Sequence, residues 1–455
     1  MATTLEADNL NSQAHLKDIL RLAIPAMLAL ASQPLLSIGD TARIGRLGVE
    51  PLAARAVGMA LIGAIYWIFA FLTFGTTTLI GHHYGAGDAE ACGDTYRHAL
   101  VLALIGGVTV SLLGIATAPF LYQVMGAEAT VAEQGVPYFR IYIASAPFTF
   151  VFFASVGFFR GIQNTRTPML LAFMANGLHL VLDFTLIYGH FGLPRMGLSG
   201  AAIAAWLAQL LGAAACFGMF RFSSANRSYK SKHWRISPTK MRPLFRIGRE
   251  LAIRTGALRL SLIVATGSAA RMGAAILSAH EVAFQLFLLC SEVIDGLAVA
   301  GQALVAKYLG SHRQQTAYRM GKTLLICGTV AGGLFAGLFL GAKESIIQFF
   351  TKSPAVMIAL GGSIFYLVAL YQPLNGIVFV LDGLLIGADD TRFLMRAMLV
   401  GALAIFMPLS WLALQQDWGL MGIWLGVSAL MTWRLATNLL RFRSKHWATV
   451  TPGRT

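Results

Sequence analysis

The stretch Ile38-Gly-Asp-Thr-Ala-Arg-Ile-Gly-Arg-Leu-Gly48 returns in altered form as Ile263-Val-Ala-Thr-Gly-Ser-Ala-Ala-Arg-Met-Gly273. At one constant offset, identical residues meet at four positions, which in the first copy are Ile38, Thr41, Arg46 and Gly48. Further matches follow in the same order: Pro147 with Pro373, Gly157 with Gly383, Gly161 with Gly387, Thr165 with Thr391 and Arg166 with Arg392. The two halves of the chain are therefore an internal duplication.

The composition sets the class of protein. The chain has 455 residues, of which 56% are hydrophobic and 12% are charged. A soluble domain carries about 25% charged residues, so this chain lacks the polar surface that a soluble fold would need. A spanning helix takes about 20 mostly apolar residues, and twelve stretches qualify: 16–42, 53–80, 95–121, 135–159, 166–189, 197–220, 247–271, 280–306, 319–342, 360–386, 393–414 and 420–441. We expect an all-α polytopic membrane protein with twelve transmembrane helices in two pseudo-symmetric six-helix bundles.

The duplication and the charges predict how the chain is divided and oriented. Residues 1–225 form an N-terminal lobe, 226–246 a basic cytoplasmic linker, and 247–455 a C-terminal lobe. Six helices in each half make both repeats run in the same direction, as in transporters with parallel repeats. Lys and Arg crowd the segments that are cytoplasmic when the N-terminus is inside, so both termini are predicted to be cytoplasmic.

The net charge of +15 does not indicate a nucleic-acid partner. The basic run 227–249 lies where a cytoplasmic loop is expected to be basic, and contact with anionic lipid headgroups is the simpler interpretation. The four cysteines show no metal-ligand spacing, so neither a disulfide nor a metal site is expected. We expect the lipid bilayer as a partner, no nucleic acid, no cofactor, and a monomer.

Acidic residues inside predicted helices need a reason, because a carboxylate at the bilayer centre costs about 2.5–3.5 kcal/mol on insertion scales. In the first half, two helix faces carry them. Gln33, Ser37 and Asp40 share one face of helix 1, with Pro34 able to permit a kink, and Asn176, His179 and Asp183 share one face of helix 5. An acid, an imidazole and an amide on one face could exchange protons, or could only hold the bundle together by hydrogen bonds.

In the second half, different helices carry the acids. Asn375 and Asp382 stand two turns apart on helix 10, and Glu292 and Asp295 one turn apart on helix 8. Arg254 and Arg259 on helix 7 are candidate salt-bridge partners, so a structural network competes with a functional site. The repeat partner of Asp40 is Ala265 and that of Asp382 is Val156, which predicts different roles for the two lobes.

Several segments resemble one family, the MATE (multidrug and toxic compound extrusion) transporters. They are the stretch 38–48 quoted above, Asn176-Gly-Leu-His-Leu-Val-Leu-Asp183 and Gly197-Leu-Ser-Gly-Ala-Ala-Ile-Ala204. Arg249-Glu-Leu-Ala-Ile-Arg-Thr255 and Leu381-Asp-Gly-Leu-Leu-Ile-Gly-Ala388 resemble the DinF subfamily in particular. The resemblance runs over essentially the whole chain, with the duplication in register.

The resemblance implies two six-helix lobes in a V shape, in the plasma (inner) membrane of a bacterium. It implies export of organic cations or other amphipathic compounds, driven by inward flow of H⁺ or Na⁺. Asp40 matches the family's helix 1 acid, which is held to be central to coupling, and Asp183 matches its helix 5 partner. On this view, the ionised pair attracts a cationic compound, and protonation of Asp40 removes the attraction and lets helix 1 bend near Pro34.

Two residues of the network and the middle of helix 7 depart from the family pattern. His179 stands where Asn is usual, and Ala205 where a Thr often completes the network. The middle of helix 7 has Leu258 and Arg259 where the Na⁺-linked NorM branch carries a Glu. This departure favours H⁺ over Na⁺ as the coupling ion.

Other functions make different predictions. A flippase for lipid-linked precursors would need several inward-facing arginines. The helix interiors of this sequence are instead nearly neutral, and acidic rather than basic where they are charged. An intramembrane prenyl transferase would need clustered acids for Mg²⁺-pyrophosphate, and the one adjacent pair, Asp389-Asp390, has no second cluster. No enzyme is therefore expected. A scaffold that transports nothing leaves Asp40, Asp183 and Asp382 unexplained.

Overall fold

The chain folds as two compact helical units. The computed structural model describes residues 2–230 and 236–449, without the side chains of residues 2–14 and 35. One unit is Leu28–Gly248, and the other joins the described residues up to Met27 with those from Arg249 onward. Both boundaries fall inside helices, so the first part of helix α1 (Ala2–Gly45) belongs with the C-terminal half of the chain.

The remaining helices follow the predicted order. Before the linker they are α2 Val49–Phe69, α3 Phe71–Gly85, α4 Ala89–Val124, α5 Ala129–Ile143, α6 Ala146–Gly161, α7 Arg166–Tyr188 and α8 Gly197–Phe222, with a 3-10 turn at Ser224–Tyr229. After it they are α9 Pro238–Arg271, α10 Ala274–Gly310, α11 Gln314–Gly341, α12 Lys343–Phe350, α13 Pro354–Gly361, α14 Ser363–Leu370, α15 Gln372–Gly387, α16 Thr391–Val400, α17 Met407–Gln415 and α18 Gly419–Ser444. A π-helical segment, Gly401–Phe406, joins α16 to α17.

The count of apolar spans is slightly lower than the twelve predicted. Within the described residues, ten helices are long and apolar enough to cross a membrane, and an eleventh span is the pair α5 and α6, bent by 45°. The stretch 247–271 is helical, as part of α9, but it is not among them. Arg254 and Arg259 interrupt the apolar run of this stretch. We therefore expect these two charges to be paired with acidic side chains of neighbouring helices.

The duplication is visible in equivalent close contacts within each unit. Gly107 of α4 lies so near Pro147 of α6 that an added Cβ would be 2.3 Å from the Pro147 Cα. Their repeat partners behave alike, since a Cβ on Gly332 of α11 would be 2.2 Å from the carbonyl oxygen of Gln372, beside Pro373. In lipid, helices associate by such close packing of small residues, which explains why these glycines recur in register.

The turns at the ends of α1 and α9 also repeat. Gly48 has φ 134° before α2, and its repeat partner Gly273 has φ 108° before α10. Residues with a Cβ rarely adopt these angles, so a glycine is required at both turns. The stretch quoted at the opening thus encodes a helix, a tight turn and the start of the next helix, and the fold uses it twice.

Candidate functional site

Asp40 of α1 meets Asp183 and His179 of α7 inside the unit Leu28–Gly248. One carboxylate or imidazole atom from each lies within 4.8 Å of the other two. The His179 Nε2 atom is 3.7 Å from Asp183 Oδ1. Asp183 is fully buried, and 9% of Asp40 and 8% of His179 are exposed. The structure therefore brings together acids that the sequence placed on two separate helices.

Two arginines complete this cluster and were missed by the sequence analysis. The Arg43 Nη1 atom lies 3.8 Å from Asp40 Oδ1 and 3.9 Å from Asp183 Oδ2, so it bridges α1 and α7. The Arg55 Nη2 atom of α2 lies 3.8 Å from Asp40 Oδ2. Two guanidinium groups thus balance two carboxylates, and the cluster is not the negative site that the sequence suggested.

Arg55 is held by the end of α1. Its Nη1 donates to Thr41 Oγ1 at 2.9 Å, and its Nη2 to the Ser37 carbonyl at 3.5 Å. Only 7% of Arg55 is exposed. Arg43 could have been found from its i,i+3 spacing to Asp40 on one helix, whereas no local signal identifies Arg55.

The cluster leaves polar atoms without direct hydrogen bonds. Among the described residues, Asp40 Oδ1, Arg43 Nη1 and both carboxylate oxygens of Asp183 are buried and lack a hydrogen-bond partner. The separations of 3.7–3.9 Å within the cluster exceed hydrogen-bond reach. Buried charges without hydrogen bonds are costly, so these atoms are suited to take up a proton or a small bound species.

The other predicted residues of this region lie nearby but apart. Asn176 Nδ2 donates to Ser32 Oγ at 2.9 Å, which ties α7 to α1 one residue before Gln33. Gln33, Pro34 and Ser37 are exposed, and α1 continues through Pro34 without a break. The residues predicted to share one face of α1 therefore differ in burial: Asp40 is buried, whereas Gln33 and Ser37 are exposed.

Aromatic side chains stand beside the cluster. Tyr142 of α5 lies near Asp40 and Asp183. Its ring centroid is 6.5 Å from that of Tyr66 and 6.0 Å from that of Tyr138. The cluster is thus bordered by the apolar core of this unit, to which Tyr138 belongs and against which Tyr66 and Tyr142 pack.

The second unit pairs Asp382 of α15 with cations and an amide. Arg254 Nη2 of α9 donates to Asp382 Oδ2 at 2.5 Å, and Arg434 of α18 donates to the same oxygen. Asn438 Nδ2 donates to Asp382 Oδ1 at 2.9 Å. The sequence analysis offered Arg254 as a salt-bridge partner for the acids of this half, and it does pair with one of them, Asp382, which Arg434 also holds.

Glu292 and Asp295 of α10 flank this group. Glu292 and Arg259 lie close enough for their opposite charges to attract each other. Asp295 interacts with Asp382, Arg254 and Arg434. Asp382 and its two arginines thus form one ion-paired group with Asp295 near it, and helix interiors that read as nearly neutral hold several arginines paired with carboxylates.

Asn375 is separate from this network although it shares α15 with Asp382. Its Nδ2 donates to Gln372 Oε1 at 3.4 Å, and its buried Oδ1 has no partner among the described residues. It lines a cavity of about 10 Å³ with Trp424 and Tyr371. That volume has room for about one water molecule, so the residue is placed for a local hydrogen-bond role.

Comparison with known proteins matches these features to one family. The MatE family model matches residues 25–185 and 257–412, one segment in each repeat. The chain is 27% identical over 436 residues to the probable multidrug resistance protein NorM of Shewanella oneidensis, covering 94% of both chains. It is 26% identical over 440 residues to the DNA damage-inducible protein F (DinF) of Escherichia coli, covering 95% of this chain and 92% of that one.

A solved structure shows the shared fold. The outward-facing form of a multidrug resistance MATE family transporter superposes with a TM-score of 0.85 at 20% identity. The alignment covers 94% of this chain and 96% of that one. The polytopic helical architecture predicted from the duplication is therefore confirmed.

Proposed function

The chain belongs to the MatE family of multidrug efflux transporters, and we propose that it is a secondary active antiporter that exports organic cations or other amphipathic compounds in exchange for H⁺. We place coupling in the cluster of Asp40, Asp183, His179, Arg43 and Arg55. The observation that carries this proposal is the bridge that Arg43 makes between two buried carboxylates on different helices. The transporter would act as a monomer in the plasma (inner) membrane of a bacterium, with both termini cytoplasmic.

The charge arrangement supports H⁺ over Na⁺ as the coupling ion. Asp40, His179 and Asp183 lie close enough together to hold a metal ion. A bound Na⁺ would, however, lie within a few ångströms of the Arg43 and Arg55 guanidinium groups, where Coulomb repulsion is strong at low dielectric. A proton adds no separate ion to the site, because it neutralises one carboxylate.

Proton uptake would act on the helices through Arg43. With both carboxylates ionised, Arg43 is attracted to α1 and to α7 at once. Protonation of Asp40 or Asp183 removes one of these attractions, leaves a guanidinium in excess and weakens the link between the helices. Pro34, which cannot donate a backbone hydrogen bond within α1, lies two turns before Asp40 and gives the helix a place to bend.

Transport in proteoliposomes tests the proposal. A fluorescent organic cation is followed under a proton gradient and, separately, under a sodium gradient. Wild-type protein is expected to respond to the proton gradient alone. Asp40→Asn and Asp183→Asn are expected to slow proton-driven transport by at least about tenfold, the size of effect given by the loss of about 1.4 kcal/mol of coupling free energy.

The matched control is Asp417→Asn, the same change at an exposed carboxylate outside the cluster. It should transport at the wild-type rate. If Asp40→Asn also transports at the wild-type rate under a proton gradient, or if only sodium drives wild-type transport, the coupling proposal is wrong.

A flippase would need inward-facing arginines, and arginines do lie inside the helices. Arg254 and Arg434 would attract a pyrophosphate group, yet both already donate to Asp382. Arg43 and Arg55 likewise face carboxylates. If the protein exports an organic cation and a lipid-linked phosphate does not compete, the antiporter is favoured. If the lipid-linked phosphate does compete with the cation, the flippase is favoured.

A further inference from the structure

Arg140 is an exposed cation on the outward face of α5. Glu133, Pro137 and Arg140 are all exposed and recur at helical spacing, so they form one stripe. Glu133 is two turns nearer the end of α5 that follows the α4–α5 loop. Arg140 is therefore the deeper charge, about 10 Å further along the helix at 1.5 Å per residue.

Arg140 lies at the same depth as exposed apolar side chains of the neighbouring helix α4. Its contact on α4 is Ile115, and that helix exposes apolar side chains on both sides of this position. Leu112 and Leu113 precede it with 65% and 61% exposed, and Phe120 and Val124 follow with 62% and 66%. Apolar groups exposed on both sides indicate lipid-facing surface, so the guanidinium group lies at hydrocarbon depth.

A proline explains why the arginine is held there. In an α-helix the carbonyl of Ile115 would accept from the N–H of residue 119, but that residue is Pro119 and has none. The Nε of Arg140 donates to this carbonyl at 3.1 Å instead. This bond satisfies a backbone group that lipid cannot, and it fixes the direction of the guanidinium group.

A groove lies beside the Arg140 side chain. Arg140, Ile141 and Ala144 of the α5 end line it together with Ile203 and Trp206 of α8, around a volume of about 340 Å³. The Nη atoms of Arg140 have no partner among the described residues, and an unpaired charge at this depth is costly. An almost wholly apolar groove thus lies beside a charged side chain whose Nη atoms are unpaired within the described residues.

We propose that this groove is a phospholipid site, in which the Arg140 Nη donors bind the lipid phosphate and an acyl chain lies along Ile203 and Trp206. Guanidinium donors match phosphate oxygens in a bidentate way. The bilayer surrounds the groove with molecules that carry both a phosphate and apolar chains. The lipid belongs to the leaflet nearest the α4–α5 loop, with its headgroup drawn inward by the fixed charge.

The bend between α5 and α6 makes this site relevant to movement. Ala144 lines the groove and stands at the break where these helices turn by 45°. A lipid seated there would brace the bend. The groove shares no residue with the carboxylate cluster. A test of lipid binding here is therefore independent of which ion drives transport.

Native mass spectrometry of the full-length protein with phosphatidylglycerol tests the site. Arg140→Gln is the informative change, because a glutamine amide can still donate to the Ile115 carbonyl while the charge is lost. Its affinity for the lipid should fall at least about tenfold, and Arg140→Lys should lie between it and wild type. Arg195→Gln, the same change in an exposed loop at this end of the unit, should bind like wild type.

Two further arms exclude other readings. Diacylglycerol, which lacks the phosphate, and inorganic phosphate, which lacks the chains, should each fail to displace the phospholipid. Ala144→Trp fills the groove while Arg140 is kept, and it should also lower lipid affinity about tenfold, which protects the test if Arg140→Gln does not fold. Wild-type affinity in Arg140→Gln or in Ala144→Trp, or displacement by inorganic phosphate alone, would overturn the proposal.

Discussion

At the scale of single residues, Asp382 is the carboxylate that two arginines hold by direct hydrogen bonds. Arg254, Arg434 and Asn438 all donate to its two oxygens, and 6% of its surface is exposed. A buried ion pair adds little net stability compared with apolar side chains of equal volume, but removing one partner is expensive because the other charge stays buried. Asp382 therefore reads first as a structural residue of the second unit, beside any part it has in coupling.

We expect Asp382→Asn to lower the free energy of unfolding by about 3–5 kcal/mol, since two guanidinium groups then share one neutral amide. Thermal and denaturant unfolding in detergent micelles would measure the loss. The double variant Asp382→Asn with Arg254→Gln should recover part of it, because one unpaired charge is gone. Unfolding of Asp382→Asn at the wild-type midpoint would show that the network contributes no stability.

Residue type and helical spacing were enough to find Asp40, Asp183 and His179, because an ionisable group inside an apolar helix is conspicuous. The same reasoning missed Arg55, since an arginine near a helix end reads as a topology signal. Its burial depends on how α2 packs against α1, which a single sequence does not state. The roles of all five residues in the cluster remain predictions until transport is measured.

At the scale of helices, small residues determine how closely α11 and α15 approach. A Cβ on Gly332 would meet the Gln372 carbonyl at 2.2 Å, whereas one on the adjacent Gly333 would meet nothing within 4 Å. The two glycines differ only in which side of α11 they occupy. They form a natural matched pair for testing the packing of the second unit.

Gly332→Ala should therefore destabilise the protein by about 1–3 kcal/mol through overpacking. Gly333→Ala should be neutral or stabilising by up to about 1 kcal/mol, because alanine favours the helix. Unfolding midpoints of the two variants in the same detergent would test the difference. Equal effects would mean that the helices can separate enough to accept the methyl group.

Helix positions were predictable from apolar length, but their interruptions were only partly so. The expected single helices 53–80 and 135–159 are each broken in two, near Ala70 and at Ala144–Ser145. Pro147 explains the second break, because it cannot donate a hydrogen bond to the Ile143 carbonyl one turn earlier, and that carbonyl accepts from Ser111 Oγ instead. The break near Ala70 has no proline, and apolar periodicity does not report it.

At the scale of the whole molecule, the duplication and the distribution of Lys and Arg predict orientation. A protease site inserted in the linker 226–246 or at the C-terminus should be cut in inside-out vesicles, and one in the loop 190–195 in right-side-out vesicles. The physical reason is that basic loops resist transfer across the membrane. Cleavage of the linker and the loop from the same side would contradict the predicted topology.

The division of α1 between the two units has a consequence for how the protein is made. Met27 packs against Gly296, so closely that a Cβ on that glycine would lie 2.2 Å from the Met27 Cγ. Ile19, Leu22 and Ala23, a turn or two earlier, are buried as well. A ribosome adds about 5–20 residues per second, so the beginning of α1 waits about tens of seconds after its synthesis for α10. Until then its apolar face has only lipid, the insertion machinery or a chaperone to cover it, and a chain that stopped before α10 would never bury that face.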